Sequence, residues 1–179
     1  MTDPPVLTGA AIVLRAPKPG DAAERLALGN DPAIMGTFGT DSMGWSSMAE
    51  VGAARWFERI ASHPQAWVVE HGGQLLGDAR LDGLDLHDAR ARLAIGFYDP
   101  AKLGIGLGRD AVRTLMLYAF GTLGLHRLSL RVIAYNTRAI RCYSACGFVV
   151  EGREREAALA GGKRYDDVIM GMLAREAHF

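Results

Sequence analysis

Six residues, Leu103-Gly104-Ile105-Gly106-Leu107-Gly108, constrain this chain more than any others. The run follows a strand expected over Ala89 to Phe97 and precedes a stripe of Val112, Leu115, Met116 and Ala119 at helical spacing. Alternating glycines at a strand-to-helix turn let backbone approach a ligand closely. The helix start beyond them offers free amides and the positive end of a dipole, a combination that suits phosphate. The same turn excludes two familiar nucleotide folds. It lies too late for a doubly wound sheet, after several antiparallel-looking strands, with no acidic ribose ligand behind it. No Lys-Ser or Lys-Thr pair closes it as a Walker loop.

The surrounding pattern interleaves strands and helices. Ile12 to Arg15 reads as an opening strand, Asp21 to Leu28 as a modest helix, and Gly29 to Ser46 as a long loop or broken helices. Ser47-Met48-Ala49-Glu50 fits a capping box before Ala53, Trp56, Phe57 and Ile60, and Pro64 ends that helix. Ala66 to Glu70 and Gln74 to Leu81 flank a His71-Gly72-Gly73 hairpin turn, with a further turn at Asp82 to Asp88. Arg127 to Ile133 alternates with period two, and Asn136 to Ala145 is a short helix ended by Gly147. Phe148 to Arg155 and Tyr165 to Leu173 are the last strands, joined by a loop containing Gly161-Gly162. The expected class is α+β, a mixed sheet with helices packed on its faces.

Length and composition fit one domain over residues 1–179: 19.3 kDa, 49% hydrophobic and 22% charged. Twenty Lys+Arg balance twenty Asp+Glu, which argues against a general nucleic-acid or acidic-membrane binder. No apolar run reaches the ~20 residues of a membrane span. Met1 to Pro5 lacks the basic and apolar regions of a signal peptide, and two cysteines build no disulfide framework. The expectation is a cytoplasmic protein, monomeric or homodimeric.

A second constellation follows the turn. Asn136 is suited to cap its helix, and Tyr143 lies seven residues on, within ~20° of the same side. An amide and a phenol would then line one groove; a cap and a core tyrosine is the alternative. Cys142 and Cys146 share a face but supply half a metal site at most, so packing is expected of them and no metal is expected. His126 reads as structural. Arg138, Arg141, Arg153, Arg155, Lys163 and Arg164 form basic patches.

Together the two stretches resemble the GCN5-related N-acetyltransferases, which move acetyl from acetyl-coenzyme A to an amine. Their turn, Gln/Arg-x-x-Gly-x-Gly/Ala, is met by Gly106 and Gly108, with Leu103 where Gln or Arg stands and Lys102 one residue earlier. Their later pattern, Asn-x-x-Ala/Ser-x-x-x-Tyr-x-x-x-Gly-Phe, is met by Asn136, Ala139, Tyr143, Gly147 and Phe148. Glu151-Gly152, Arg153 to Glu156, Gly162 and Tyr165-Asp166-Asp167 look like the branch of ribosomal-protein alanine acetyltransferases.

The resemblance implies a mainly antiparallel sheet whose strands splay to admit the pantetheine arm of acetyl-coenzyme A. It places the pyrophosphate on the amides of Leu103, Gly104, Ile105, Gly106, Leu107, Gly108 and Arg109. Ile95, Gly96, Phe97 and Tyr98 would pair with the arm from one side, Asn136 and Ala139 would meet it from the other, and Tyr143 would be the acid beside the departing sulfur. A basic residue would meet the 3′-phosphate. Relatives often carry Glu where this chain has Ala94, leaving Glu70, Asp78, Asp82 or a histidine, through water, as candidate bases. The implied acceptor is a peptide N-terminal amine, with a small-molecule amine as the enzymatic alternative and an idle coenzyme A-binding module as the non-enzymatic one.

Overall fold

The computed structural model describes residues 3–38 and 49–178. Eight strands form one sheet in the order β1-β2-β3-β4-β5-β6-β8-β7. They are β1 (Leu7–Thr8), β2 (Val13–Arg15), β3 (Ala66–His71), β4 (Gln74–Asp85), β5 (Arg90–Phe97), β6 (Arg127–Ile133), β7 (Val149–Ala160) and β8 (Lys163–Leu173). Every neighbouring pair is antiparallel except β5 and β6. That parallel pair needs a crossover, supplied by α4 (Leu107–Met116), which widens into a π-turn over Leu117–Thr122.

Alternation along the strands sends residues to two cores on opposite faces. Leu93 and Phe97 of β5 and Leu128, Leu130 and Val132 of β6 pack with Ala111, Val112, Leu115 and Met116 of α4 and with Tyr143 and Cys146. The last two sit on and just beyond α5 (Thr137–Ala145). On the other face, Trp56 and Ile60 of α3 (Glu50–Ala61) cover Ala66, Val68, Leu75 and Tyr98. Leu28 of α1 (Asp21–Leu28) and Met35 of α2 (Pro32–Met35) pack beside them. Helices therefore lie on both faces, as expected. Trp67 and Val69 join the first core and Ala66 and Val68 the second, all with no exposed surface, so β3 is buried on both sides.

Several departures from the sequence expectations have local causes. The long segment after Gly29 contains α2, capped by the Asp31 carboxylate on the Ala33 and Ile34 amides, and a 3₁₀ turn over Gly36–Phe38. Ser47 and Met48 of the anticipated capping box, with Met43, Gly44 and Trp45, lie outside the described residues. Helix α3 begins at Glu50 with Ala49 in the cap position and no side-chain cap. The last hairpin is longer than predicted: β7 runs to Ala160, and Gly161 and Gly162 alone make the turn. Their φ of 56° and 73° are left-handed, the geometry of a two-residue hairpin turn that glycine permits. Strand β1 is too short to show any periodicity. The turn from β1 to β2 is held by Asp110 of α4, whose carboxylate accepts from the amides of Ala10, Ala11 and Ile12 at 2.9, 2.7 and 3.1 Å.

Candidate active site

The feature that makes a site is an incomplete pairing. Strands β5 and β6 are in register only at Arg90, Ala91 and Arg92, opposite Arg127, Leu128 and Ser129. Beyond them the strands diverge, while β5 stays bound to β4 through Ala79–Ile95, Asp78–Gly96 and Gly77–Phe97, and β6 to β8 as far as Ile133–Asp167. The splay predicted for the sheet is present. A cavity of about 1220 Å³ occupies the wedge and is lined from both faces, by Arg55 and Trp56 on one side and Val112 and Tyr143 on the other.

The glycine turn closes one end of this wedge. Gly104 and Gly106 have φ of 79° and 95°, a region that favours glycine, and a Cβ at either would meet nothing within 4 Å. Gly106 is the N-cap of α4 and supplies no side-chain cap. The N–H of Leu103 donates to Pro100 and that of Asp110 to Gly106; among the described residues none of the amides from Gly104 to Arg109 donates to a protein acceptor. Free amides at a helix start fit an anion, and Lys102, Arg109, Arg138 and Arg141 line the cavity beside them. The chain's residues thus fit the diphosphate of coenzyme A. Leu103, Gly104, Gly106, Gly108 and Arg109 line the cavity, whereas Ile105 is exposed and the Leu107 side chain is in the core.

On the α5 side, Asn136 caps the helix through Oδ1, which accepts from the Ala139 amide at 3.1 Å. Its Nδ2 lies 3.5 Å from the Thr37 carbonyl, the limit of a hydrogen bond. Tyr135 donates to the Gly36 carbonyl, and Phe38 lies against Gly96, where a Cβ would come within 2.9 Å of its Cζ. The Gly36–Phe38 turn is thereby strapped across the wedge from β6 to β5. Ala139 and Tyr143 line the cavity one and two turns after Asn136. Tyr143 is 9% exposed, and no protein group among the described residues hydrogen-bonds its hydroxyl. Burial, with Cys142 and Cys146 nearby, pushes its pKa above the usual phenol value, so the proton stays on oxygen.

The residues on β5 have divided roles. Ile95, Gly96 and Phe97 present backbone to the wedge. Tyr98 also lines the cavity, with its side chain engaged by neighbours: its hydroxyl donates to Asp78, its ring is edge-on to Trp56, and the Arg25 guanidinium lies 3.8 Å from the ring centre. Asp78, 3% exposed, also accepts from Trp56 Nε1 at 2.9 Å and from Arg80 Nη1 at 2.7 Å. The sequence offers Asp78 as a candidate base but carries no local signal of this network, whose members come from α1, α3, β4 and the end of β5. As a base Asp78 is poorly placed, because three donors already hold its anion. Asp82 is bound by Arg80 at 3.2 Å and approached by His63 at 3.2 Å. Glu70 does not line the cavity; Arg15 holds it at 2.6 Å, outside the wedge. His126 lies outside the cavity lining too, its backbone N–H donating to Ala89. Cys142 is half-buried against the cavity and Cys146 buried. Among the described residues no group of three or more His, Cys, Asp or Glu is placed to hold a metal, and no helix is long and apolar enough to cross a membrane.

A splayed parallel pair with a glycine turn of free amides at its mouth is the arrangement of an acyl-coenzyme A transferase of the acetyltransferase class. The chain belongs to the GNAT acetyltransferase domain family, which it matches over residues 11–149. Spermidine N(1)-acetyltransferase of Vibrio cholerae is 38% identical over 69 residues, 38% of this chain and 39% of that protein. YdaF of Bacillus subtilis, named as a candidate ribosomal N-acetyltransferase, is 30% identical over 107 residues, covering 59% and 57%. The matches thus span only 39% and 57% of the lengths of those relatives. Among solved structures, the Vibrio cholerae spermidine N-acetyltransferase in complex with CoA and spermine superposes with a TM-score of 0.77 at 25% identity, over 93% of this chain and 98% of that one.

Proposed function

We propose that this protein transfers an acetyl group from acetyl-coenzyme A to the primary amine of a small molecule. The observation that carries the reading is the wedge between β5 and β6, with the unpartnered amides from Gly104 to Arg109 at one end and the Tyr143 hydroxyl within. Bound acetyl-coenzyme A supplies an acetyl group already activated as a thioester. The amides of the glycine turn hold its diphosphate, and the edges of β5 and β6 left without partners hold the arm. As the amine nitrogen bonds to the thioester carbon and the C–S bond breaks, Tyr143 keeps its proton on oxygen and donates a hydrogen bond to the departing sulfur. The strap and the apolar walls position the acetyl group and limit water. Asp78 and Asp82 are committed to arginine, so the proton lost by the amine passes to water in the open part of the cavity.

A small-molecule acceptor is supported by the likeness to spermidine acetyltransferases. The peptide N-terminal amine expected from the sequence is the second reading, supported by the likeness to YdaF. The deciding experiment follows thiol release from acetyl-coenzyme A over a panel of small amines and peptides. Amine-dependent release with a matching N-acetylated product is expected. Release that no amine accelerates would leave a coenzyme A-binding module.

A further inference from the structure

The face of the sheet under α3 is strongly arginine-rich where it floors the cavity, and its charges do not cancel. Asp78, Arg80 and Asp82 of β4 stand opposite Gly96, Ala94 and Arg92 of β5. All three cavity aspartates are spent on neighbours. Arg80 lies 2.7 Å from Asp78 and 3.2 Å from Asp82, and Arg131 lies 3.2 Å from Asp167. Arg59 of α3 approaches Asp78 only to 3.9 Å. Arg55, one turn earlier on α3, and Arg92 on β5 line the same cavity, and neither has an ion-pair partner among the described residues. Both guanidinium groups are exposed to the cavity and carry no counter-ion among the described residues, and the aspartates beside them are taken, so the pair can accept an anion.

This anion is not the diphosphate of coenzyme A. Arg92 precedes Phe97 by five residues of extended chain, about 16 Å, and the glycine turn lies beyond Phe97 at the far end of β5. The turn has its own cations in Lys102, Arg109, Arg138 and Arg141. Arg92 instead sits where β5 and β6 still pair, at the closed end of the wedge and on the face roofed by α3.

We propose that the acceptor is an amine bearing an oxyanion, a carboxylate or a phosphate, which Arg55 and Arg92 bind, and that this charge excludes polyamines. The inference rests on the acetyltransferase reading and narrows its substrate class. A guanidinium presents a planar fork of donors to either oxyanion, so geometry alone admits both. A polycation such as spermidine would bring positive charge to a floor with no free carboxylate among the described residues. In that respect the cavity differs from what the name of its spermidine-acetylating relative would suggest.

The test compares matched amines as acceptors: β-alanine against β-alaninamide, O-phosphoethanolamine against ethanolamine, and spermidine as the polycation. One oxyanion amine should exceed its uncharged partner by roughly tenfold or more in kcat/KM, carried by KM, and the better pair distinguishes carboxylate from phosphate. Arg55→Gln and Arg92→Gln should each collapse that ratio toward one, Arg92→Lys should restore part of it, and Arg92→Glu should raise the relative rate with spermidine. Coenzyme A affinity should stay within twofold in each variant, which also reports that the variant is folded. Equal use of charged and uncharged partners, or a wild-type preference for spermidine, overturns the proposal and leaves acetyl transfer standing. A loss of coenzyme A affinity in Arg92→Gln overturns it by assigning the arginine to the cofactor. Absence of turnover with every amine overturns the acetyltransferase reading itself, and the substrate class with it.

Discussion

At the scale of single residues, the proposed mechanism rests on Tyr143, which is buried, lines the cavity and has no partner for its hydroxyl among the described residues. A thiolate with an ordinary pKa near ~8.5 leaves without absolute need of a proton, so acid assistance should be modest. Tyr143→Phe keeps the ring and its edge-on contact with Phe148, 6.1 Å between centres. It should lower kcat about 10–100-fold while coenzyme A affinity and Tm barely move, the lower part of the range for general acids. Single-turnover acetyl transfer isolates the step; an unchanged rate would remove the tyrosine from the acid role. Cys142 offers a second readout. A hydrogen bond with Cys146 and the positive charge of Arg109 lower its pKa to about 7 against the opposing effect of burial. The thiolate is the reactive form, so alkylation by iodoacetamide should rise through pH 7 rather than 8.5, and bound coenzyme A should slow it. Mass spectrometry against pH, with and without coenzyme A, checks both. A curve centred near 8.5 would show that the hydrogen bond does not favour the anion.

At the scale of elements, two glycines make opposite demands. Gly77 of β4 faces the Gly96 carbonyl so closely that a Cβ would lie 1.9 Å from that oxygen and 3.0 Å from the Phe97 Cα, both of them β5 backbone. Gly77→Ala must push β4 from β5, and overpacking of this kind costs about 1–3 kcal/mol or more. For a chain of this size that is roughly 2–4 °C of Tm per kcal/mol, read by thermal melting. Gly106 has open space at its Cβ but a left-handed φ of 95°. Gly106→Val should therefore keep the fold, with a strain cost of about 1–3 kcal/mol, yet weaken coenzyme A roughly tenfold by disturbing the free amides. Calorimetry on the folded variant decides it, and unchanged affinity would take the diphosphate away from this turn. These elements also show what a sequence discloses. The glycine turn and the Asn136 to Tyr143 spacing are legible because each lies within one local stretch, so period and cap chemistry suffice. The Asp78–Tyr98–Arg25 cluster is not, because Tyr98 lies 20 residues from Asp78 and Arg25 reaches the ring only after α1 folds beneath α3. The far half of the long hairpin is illegible for a different reason: the pairing shifts register between Glu154 and Ala158, where Glu156 has a left-handed φ of 53°, and the exposed residues beyond it have no alternation to read.

At the scale of the whole molecule, the sheet is two blocks joined by a short seam. Strands β1 to β5 form one block and β6, β8 and β7 the other, and only three residue pairs connect them across β5 and β6. The packing of α4 against both blocks and the Gly36–Phe38 strap supply the remaining ties. A ligand in the wedge that bonded backbone on both sides at once would replace the missing ladder, so binding and folding should be coupled. A ligand at a hundred times its Kd adds about 2.7 kcal/mol when it binds only the folded state. At roughly 2–4 °C per kcal/mol, coenzyme A at that excess should raise Tm by about 5–11 °C. The rise should continue with the logarithm of concentration, because the linkage has no plateau until solubility intervenes. Hydrogen exchange should locate the effect: amides of Ile95 to Phe97 and Leu130 to Ile133 should gain protection, whereas those of β3, already buried between two cores, should change little. A Tm that does not depend on coenzyme A concentration, or protection confined to the glycine turn, would mean that the arm does not bridge the two blocks.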